Sequence, residues 1–257
     1  MYMKIFSIII GKLIVLMCKI LGRGSAFPGG VALKIDKNLL RKFSLPDNII
    51  AVTGSSGKGS TTSIIRKIFE DQGYTVCHNE SGANMGNGVV TTFLEQCSLT
   101  GKIKKDLVIL EVDERYTPFL FKDVKPNVLV VTNICRDQPP RQGSADRVFE
   151  KIDLSITHDM TIITNGDDPY LRNIELNNPD NKIIYYGINK NKYSYKDNIF
   201  TSLNISYCPK CHKKIEYKYR HQVAGIEIPV RGKSGENPAR TGHCICLAAY
   251  KMPLRSA

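Results

Sequence analysis

Residues 51–62 read Ala51-Val52-Thr53-Gly54-Ser55-Ser56-Gly57-Lys58-Gly59-Ser60-Thr61-Thr62. A short apolar run, Ile49-Ile50-Ala51-Val52, leads into them, and Ile64, Ile65, Ile68 and Phe69 follow at helical spacing. Strand, glycine loop and helix in that order are the context in which a phosphate-binding loop forms. Gly54 and Gly57 let the backbone turn tightly and bring its N–H groups against phosphate oxygens, with a helix N-terminus behind them. Lys58 places a point charge at the β- and γ-phosphates, and the hydroxyls of Ser60 and Thr61 suit Mg²⁺. With Ser55, Ser56 and Gly59 these residues form the predicted nucleotide site. A glycine-rich turn with an incidental lysine is the alternative, and the flanking strand and helix argue against it.

Outward from this loop, strand and helix patterns alternate with short turns. Apolar runs at Ile49–Val52, Tyr74–Cys77, Leu107–Leu110, Val128–Val131, Thr161–Ile163 and Ile183–Tyr186 predict strands. Several are too continuously apolar for a sheet with one wet face, so helices should cover both faces. Helices are expected at Ser60–Gln72, Asn87–Glu95, Phe149–Ser155 and, briefly, Asp168–Ile174, with another at Ile35–Phe43 after the glycine break Pro28-Gly29-Gly30. The fold class is α/β, a doubly wound and mostly parallel sheet with its ligand at the C-terminal strand edge.

The 257 residues carry a net charge of +12, which at first suggests a nucleic-acid binder. The distribution excludes that reading. Residues 1–43 hold eight Lys/Arg against one Asp, and residues 220–257 hold six against two Glu. The stretch between them holds 22 basic against 21 acidic side chains, so the central domain is nearly neutral. A basic N-terminus suits an anionic membrane surface, and the expected location is the cytoplasm, at the inner face of the membrane. The apolar run Ile5–Leu21 is interrupted by Lys12 and Lys19, so an interfacial or domain-packed helix is expected rather than a span. Cys18, Cys77, Cys97 and Cys135 are scattered singly in apolar surroundings and read as small core residues.

Three motifs close predicted strands: Asn79-Glu80-Ser81-Gly82-Ala83-Asn84, Glu111-Val112-Asp113-Glu114 and Thr132-Asn133-Ile134-Cys135-Arg136-Asp137-Gln138. Glu111 ends a buried parallel strand, where a carboxylate faces the phosphates and can ligate Mg²⁺. With the short Gly-x-x-Gly-Lys loop, these motifs resemble the Mur ligases and folylpolyglutamate synthases, and within that superfamily the MurT-like branch. The resemblance implies ATP and Mg²⁺ as cofactors, Lys58 and Glu111 as catalytic residues, and Ser60 and Glu111 as Mg²⁺ ligands. It places Asn84, Asn133, Arg141 and Asp168 near the nucleotide. After Gln138 the chain departs from the branch, keeping only Arg141 and Gly143 of its next motif.

Cys208-Pro209-Lys210-Cys211 has zinc-knuckle spacing, and the branch completes such a site with a second Cys-x-x-Cys. Here only Cys244-Ile245-Cys246 follows, so an incomplete zinc-ribbon-like insertion with weak or partial Zn²⁺ binding is expected. Four regions result: a helical basic segment 1–43, the ATP-binding domain 44–200, the insertion 201–221 and an atypical tail 222–257. The branch resemblance ends near residue 220, as a truncated or altered chain would. It implies the ATP-binding part of a ligase that activates the D-glutamate α-carboxylate of lipid II for amidation, with a glutaminase subunit as partner. Such a part is expected to bind Mg·ATP without completing amidation. A folylpolyglutamate synthase, or a non-catalytic nucleotide- or zinc-binding remnant, are the other readings.

Overall fold

A computed structural model of the chain describes residues 2–22, 26–79, 83–135 and 144–187, together with the backbone of 194–195 and 220–221. Six strands form one sheet: β1 (Asn48–Thr53), β2 (Val76–His78), β3 (Leu107–Glu111), β4 (Val128–Val131), β5 (Thr161–Asn165) and β6 (Lys182–Tyr186). Their order is β2-β3-β1-β4-β5-β6 and every neighbouring pair is parallel. All five residues of β3 and all four of β4 are buried, as their unbroken apolar runs require.

Alternate residues of the strands feed two cores. Ile49, Ala51, Val108, Leu110, Leu129 and Val131 join one cluster with α4 (Gly86–Gln96), α5 (Thr117–Val124) and α6 (Ala145–Asp153). Ile50, Val52, Leu107, Ile109, Val128 and Val130 join the other with Ile65 and Phe69 of α3 (Lys58–Asp71). The chain leaves β1 toward β2 on one side and leaves β4 toward β5 on the other. The C-terminal ends of β1 and β4 therefore flank the crevice where a doubly wound sheet takes its ligand.

The N-terminal part corrects the expected helix at 35–43. The helix is α2 (Phe27–Ile35), and residues 40–42 form one 3₁₀ turn. Pro28 suits the first helical turn, where no N–H partner is lost. Gly29 sits against α4, and a Cβ there would lie 2.0 Å from the Asn87 carbonyl oxygen. The glycines thus serve a helix–helix contact rather than a break. Asp36 then ends the helix in an extended conformation, accepts from the Asn38 amide at 3.1 Å and pairs with Lys42 at 2.6 Å. Ahead of it, α1 (Tyr2–Ile20) packs on α2 and α4.

Three further boundaries differ from expectation. α5 was not anticipated; it begins with Pro118 in its first turn. α6 starts at Ala145, with Ser144 accepting from the Arg147 amide. The last described helix, α7 (Asn173–Asn177), lies beyond a turn that occupies most of the expected Asp168–Ile174. Outside the main sheet, β7 (Ser194–Tyr195) and β8 (Arg220–His221) pair antiparallel. Cys208, Cys211 and the tail lie outside the described residues.

Candidate functional site

The loop after β1 owes its shape to the two predicted glycines. Gly54 has φ +127°, and a Cβ there would lie 2.3 Å from the Thr132 hydroxyl. Gly57 has φ +79° and caps α3 in the left-handed conformation, with open space where a side chain would stand. Both conformations favour glycine. The space over Gly57, beside the first amides of α3, is a cradle open to an anion.

The end of β4 straps this loop. Thr132 Oγ1 donates to Ser56 O at 2.7 Å, Asn133 Nδ2 donates to Ser56 O at 3.0 Å, and Asn133 Oδ1 accepts from the Ser56 amide at 3.1 Å. Ser55 accepts from the Cys135 amide at 3.0 Å through its hydroxyl, and its own amide donates to Asn133 O at 2.9 Å. The side chains of Asn133 and Ser55 are therefore spent on loop geometry. Thr53 Oγ1 extends the strap to the other side by donating to Val112 O at 2.9 Å.

Lys58 lies inside the loop. Its ammonium donates to Gly54 O at 2.5 Å, to Ser55 O at 3.1 Å and to Glu114 Oε2 at 3.3 Å. Glu114 has a fully buried side chain, and its Oε1 has no partner among the described residues. Burial raises its pKa against the lowering effect of Lys58. Neighbouring Asp113 goes the other way. Burial alone would raise it, but the Arg115 guanidinium, bidentate at 3.0 and 2.9 Å, holds it below the usual carboxylate range. Gly59, Ser60 and Thr61 form the first turn of α3, with Ser60 exposed and Thr61 buried.

Glu111 pairs in register with Val52, two residues before Gly54. Asn84 Nδ2 donates to its Oε1 at 3.0 Å. Asn79, itself buried, accepts from the Glu111 amide at 2.8 Å and donates to Glu111 O at 2.8 Å and Ala83 O at 2.9 Å. One asparagine thus fixes the strand end and a second turns the carboxylate. A hard-cation donor set of carboxylate and hydroxyl oxygens suits Mg²⁺, and the two types are supplied by Glu111 at the end of β3 and Ser60 in the first turn of α3.

Asp168 was expected beside the nucleotide. Its Oδ2 accepts from the Ile134 amide at 2.7 Å and its Oδ1 from the Tyr170 amide at 2.9 Å, so the carboxylate ties the β4 and β5 loops together. Burial raises its pKa to about 6, opposed by these amides. Arg141 lies outside the described residues. Among the described residues no group of three or more His, Cys, Asp or Glu could hold a metal, and Cys208 and Cys211, expected to hold Zn²⁺, lie outside them. Reading the sequence missed Glu114, Asn79 and Thr132 as site-forming residues. All three stand inside the strand-end motifs, which was the available signal.

Residues 52–235 match the Mur ligase middle domain family. The chain is 31% identical over 202 residues to the MurT subunit of lipid II isoglutaminyl synthase (glutamine-hydrolyzing) from Staphylococcus aureus (strain COL), covering 77% of this chain and 44% of that protein. It is 34% identical over 201 residues to the same subunit from Streptococcus pneumoniae (strain ATCC BAA-255 / R6), with the same two coverages. Among solved structures, MurF ligase from Thermotoga maritima in complex with ADP shares the fold at a TM-score of 0.50 and 21% identity, over 61% of this chain and 36% of that one. The chain thus spans less than half the length of the curated relatives it matches.

Proposed function

The chain belongs to the Mur ligase family, by its middle domain, and on that premise we propose that it is the ATP-binding part of an amidating ligase. The substrate is the D-glutamate α-carboxylate of lipid II, activated as an acyl phosphate for conversion to D-isoglutamine, and the partner is a glutaminase subunit that delivers ammonia. The observation that carries the nucleotide part is Lys58 in a glycine loop strapped by Thr132 and Asn133 beside Glu111. The amidating role rests on the likeness to the two MurT subunits.

Transfer of a phosphoryl group needs positioning and charge stabilisation more than covalent help from the protein. The amides after Gly57 and the Lys58 ammonium would hold the β- and γ-phosphates. Ser60 and Glu111 would hold Mg²⁺, which when bound neutralises charge on the transferred group. Asn84 keeps the Glu111 carboxylate oriented, while Asn133, Thr132 and Ser55 act through the loop rather than on the nucleotide. Lys58 has to exchange protein acceptors for phosphate oxygens on binding. The long 3.3 Å contact to Glu114 is the weakest of the three by distance.

A fluorescent ATP analogue, titrated with Mg²⁺ into wild type and Lys58→Ala, tests the nucleotide site. Micromolar-range binding in the wild type should weaken by roughly a hundredfold or more in the variant, equivalent to about 2.7 kcal/mol. Equal affinities would overturn the loop reading. The substrate class is tested separately with Mg·ATP and either lipid II plus ammonium or a folate acceptor plus L-glutamate, reading products by mass spectrometry. Nucleotide binding without amidation by this chain alone is expected. Folate extension would overturn the substrate class, and amidation well above the Lys58→Ala control would show that the chain carries the whole reaction.

A further inference from the structure

α1 presents an apolar stripe to solvent along its whole length. Tyr2, Phe6, Ile9, Leu13, Leu16 and Ile20 recur at spacings of four and three, and their exposures run from 40% at Ile9 to 85% at Tyr2. Met3 and Met17 are exposed beside the stripe, and Leu21, also exposed, follows the helix end. Solvent-facing residues of a surface helix are ordinarily polar, and a contiguous apolar face of this kind marks an interaction surface.

The helix cannot turn this face inward. Its opposite side, with Ser7, Ile8, Gly11 and Val15, is buried against the domain. Gly11 admits Leu94 so closely that a Cβ would stand 2.6 Å from Leu94 Cδ1. Lys12 donates to Leu94 O at 2.6 Å, and Lys19 pairs with Glu95 at 3.2 Å. Both lysines thus clamp α1 to α4 from the side and leave the stripe outward. A helix of this length presents about 28 Å of apolar edge. No helix among the described residues is long and apolar enough to cross a membrane, so contact lies in the plane of a surface.

We propose that this stripe seats the protein on an anionic lipid bilayer, with α1 lying in the interface. Charge selects that occupant. Residues 1–43 hold eight Lys/Arg and a single acid, Asp36, which is buried and paired with Lys42, and even with Lys19 paired to Glu95 the segment keeps an excess of positive charge. Anionic headgroups complement this segment. A second copy of the chain would set two such segments face to face and repel.

Co-sedimentation of the full chain with phosphatidylcholine vesicles and with vesicles containing phosphatidylglycerol, each at low and high salt, tests the proposal. The chain should bind the anionic vesicles, and salt should weaken that binding. Leu13→Asp with Leu16→Asp should lower the partition coefficient by roughly tenfold or more, with the melting curve and nucleotide affinity unchanged because both side chains are exposed. If the double variant melts early, Leu13→Gln alone replaces it, with a smaller loss expected. Light scattering should find a monomer. Binding that ignores lipid charge and salt, binding unaffected by the substitutions, no binding to either vesicle, or a dimer dissolved by the same substitutions would each overturn it.

Discussion

Lys58 and Asp168 show how single charged groups are held in this protein. The Lys58 ammonium has three hydrogens and three acceptors, so it is fully satisfied by Gly54, Ser55 and Glu114 in this structure. Asp168 is buried, and its two oxygens accept backbone amides from both neighbouring loops. Its pKa is raised from the ordinary 3.8 to about 6, burial outweighing the amides. The folded protein therefore holds this proton more tightly than the unfolded chain does. The stabilising contribution is complete below 3.8 and is lost as pH rises through about 6, a change of order 3 kcal/mol at 1.36 kcal/mol per pKa unit. In Asp168→Asn that pH dependence vanishes, and one amide loses its acceptor at a cost of about 1–3 kcal/mol. Urea unfolding of both proteins at several pH values checks this. The stability advantage of wild type over variant should shrink between pH 4 and pH 7, and an advantage that grows would refute the assignment.

At the scale of elements, the contact of α2 with α4 depends on one missing side chain. The Gly29 amide donates to Thr91 Oγ1 at 2.9 Å, and an added Cβ would meet Asn87 O at 2.0 Å and the Thr91 amide nitrogen at 2.8 Å. Both obstacles are backbone, so the helices must separate. Gly29→Ala should destabilise by at least the roughly 1–3 kcal/mol of an overpacked core, despite the helix propensity it gains. Gly30→Ala is the control. Its nearest neighbour is the Asn87 amide nitrogen at 3.3 Å, the end of a side chain, and stability should hold or rise. Denaturant midpoints of the two variants should therefore move apart, while nucleotide affinity stays level because neither glycine touches the β1 and β4 ends. Equal midpoints would show that the α2–α4 contact yields more readily than its backbone suggests.

Across the whole molecule, the nucleotide reading makes folding and binding one linked equilibrium. The candidate site joins the ends of β1, β3 and β4 with the start of α3, so a ligand held there couples strands from the middle of the sheet. Mg·ATP at a hundred times its Kd should stabilise the fold by about 2.7 kcal/mol, a rise in Tm of roughly 5–10 °C for a chain of this size. Scanning fluorimetry with and without Mg·ATP measures it. The shift should disappear in Lys58→Ala, and a shift of equal size in both proteins would place the nucleotide elsewhere.

The sequence by itself determined the α/β class, the six strand positions to within a few residues, and the loop from Gly54 to Lys58. These are local matters: an unbroken apolar run demands burial on both faces, and a tight anion-binding turn demands glycine at given positions. It also placed Glu111 and Asn84 at strand ends, where β3 and the loop after β2 bring them into hydrogen-bond contact. The tertiary structure alone decided how the charged groups differ. Glu111, Asp113 and Glu114 stand within four residues, yet one is turned by Asn84, one is held by Arg115, and one is buried against a lysine 56 positions away. It also decided that Pro28-Gly29-Gly30 opens a helix, because only the approach of α4 gives Gly29 its purpose. The apolar residues of α1 looked alike along the chain, and the docking of Gly11 on Leu94 sorted them into a buried face and an exposed one. Periodicity records which residues share a face of an element, whereas burial, and with it every charge environment, depends on what other elements lay against that face.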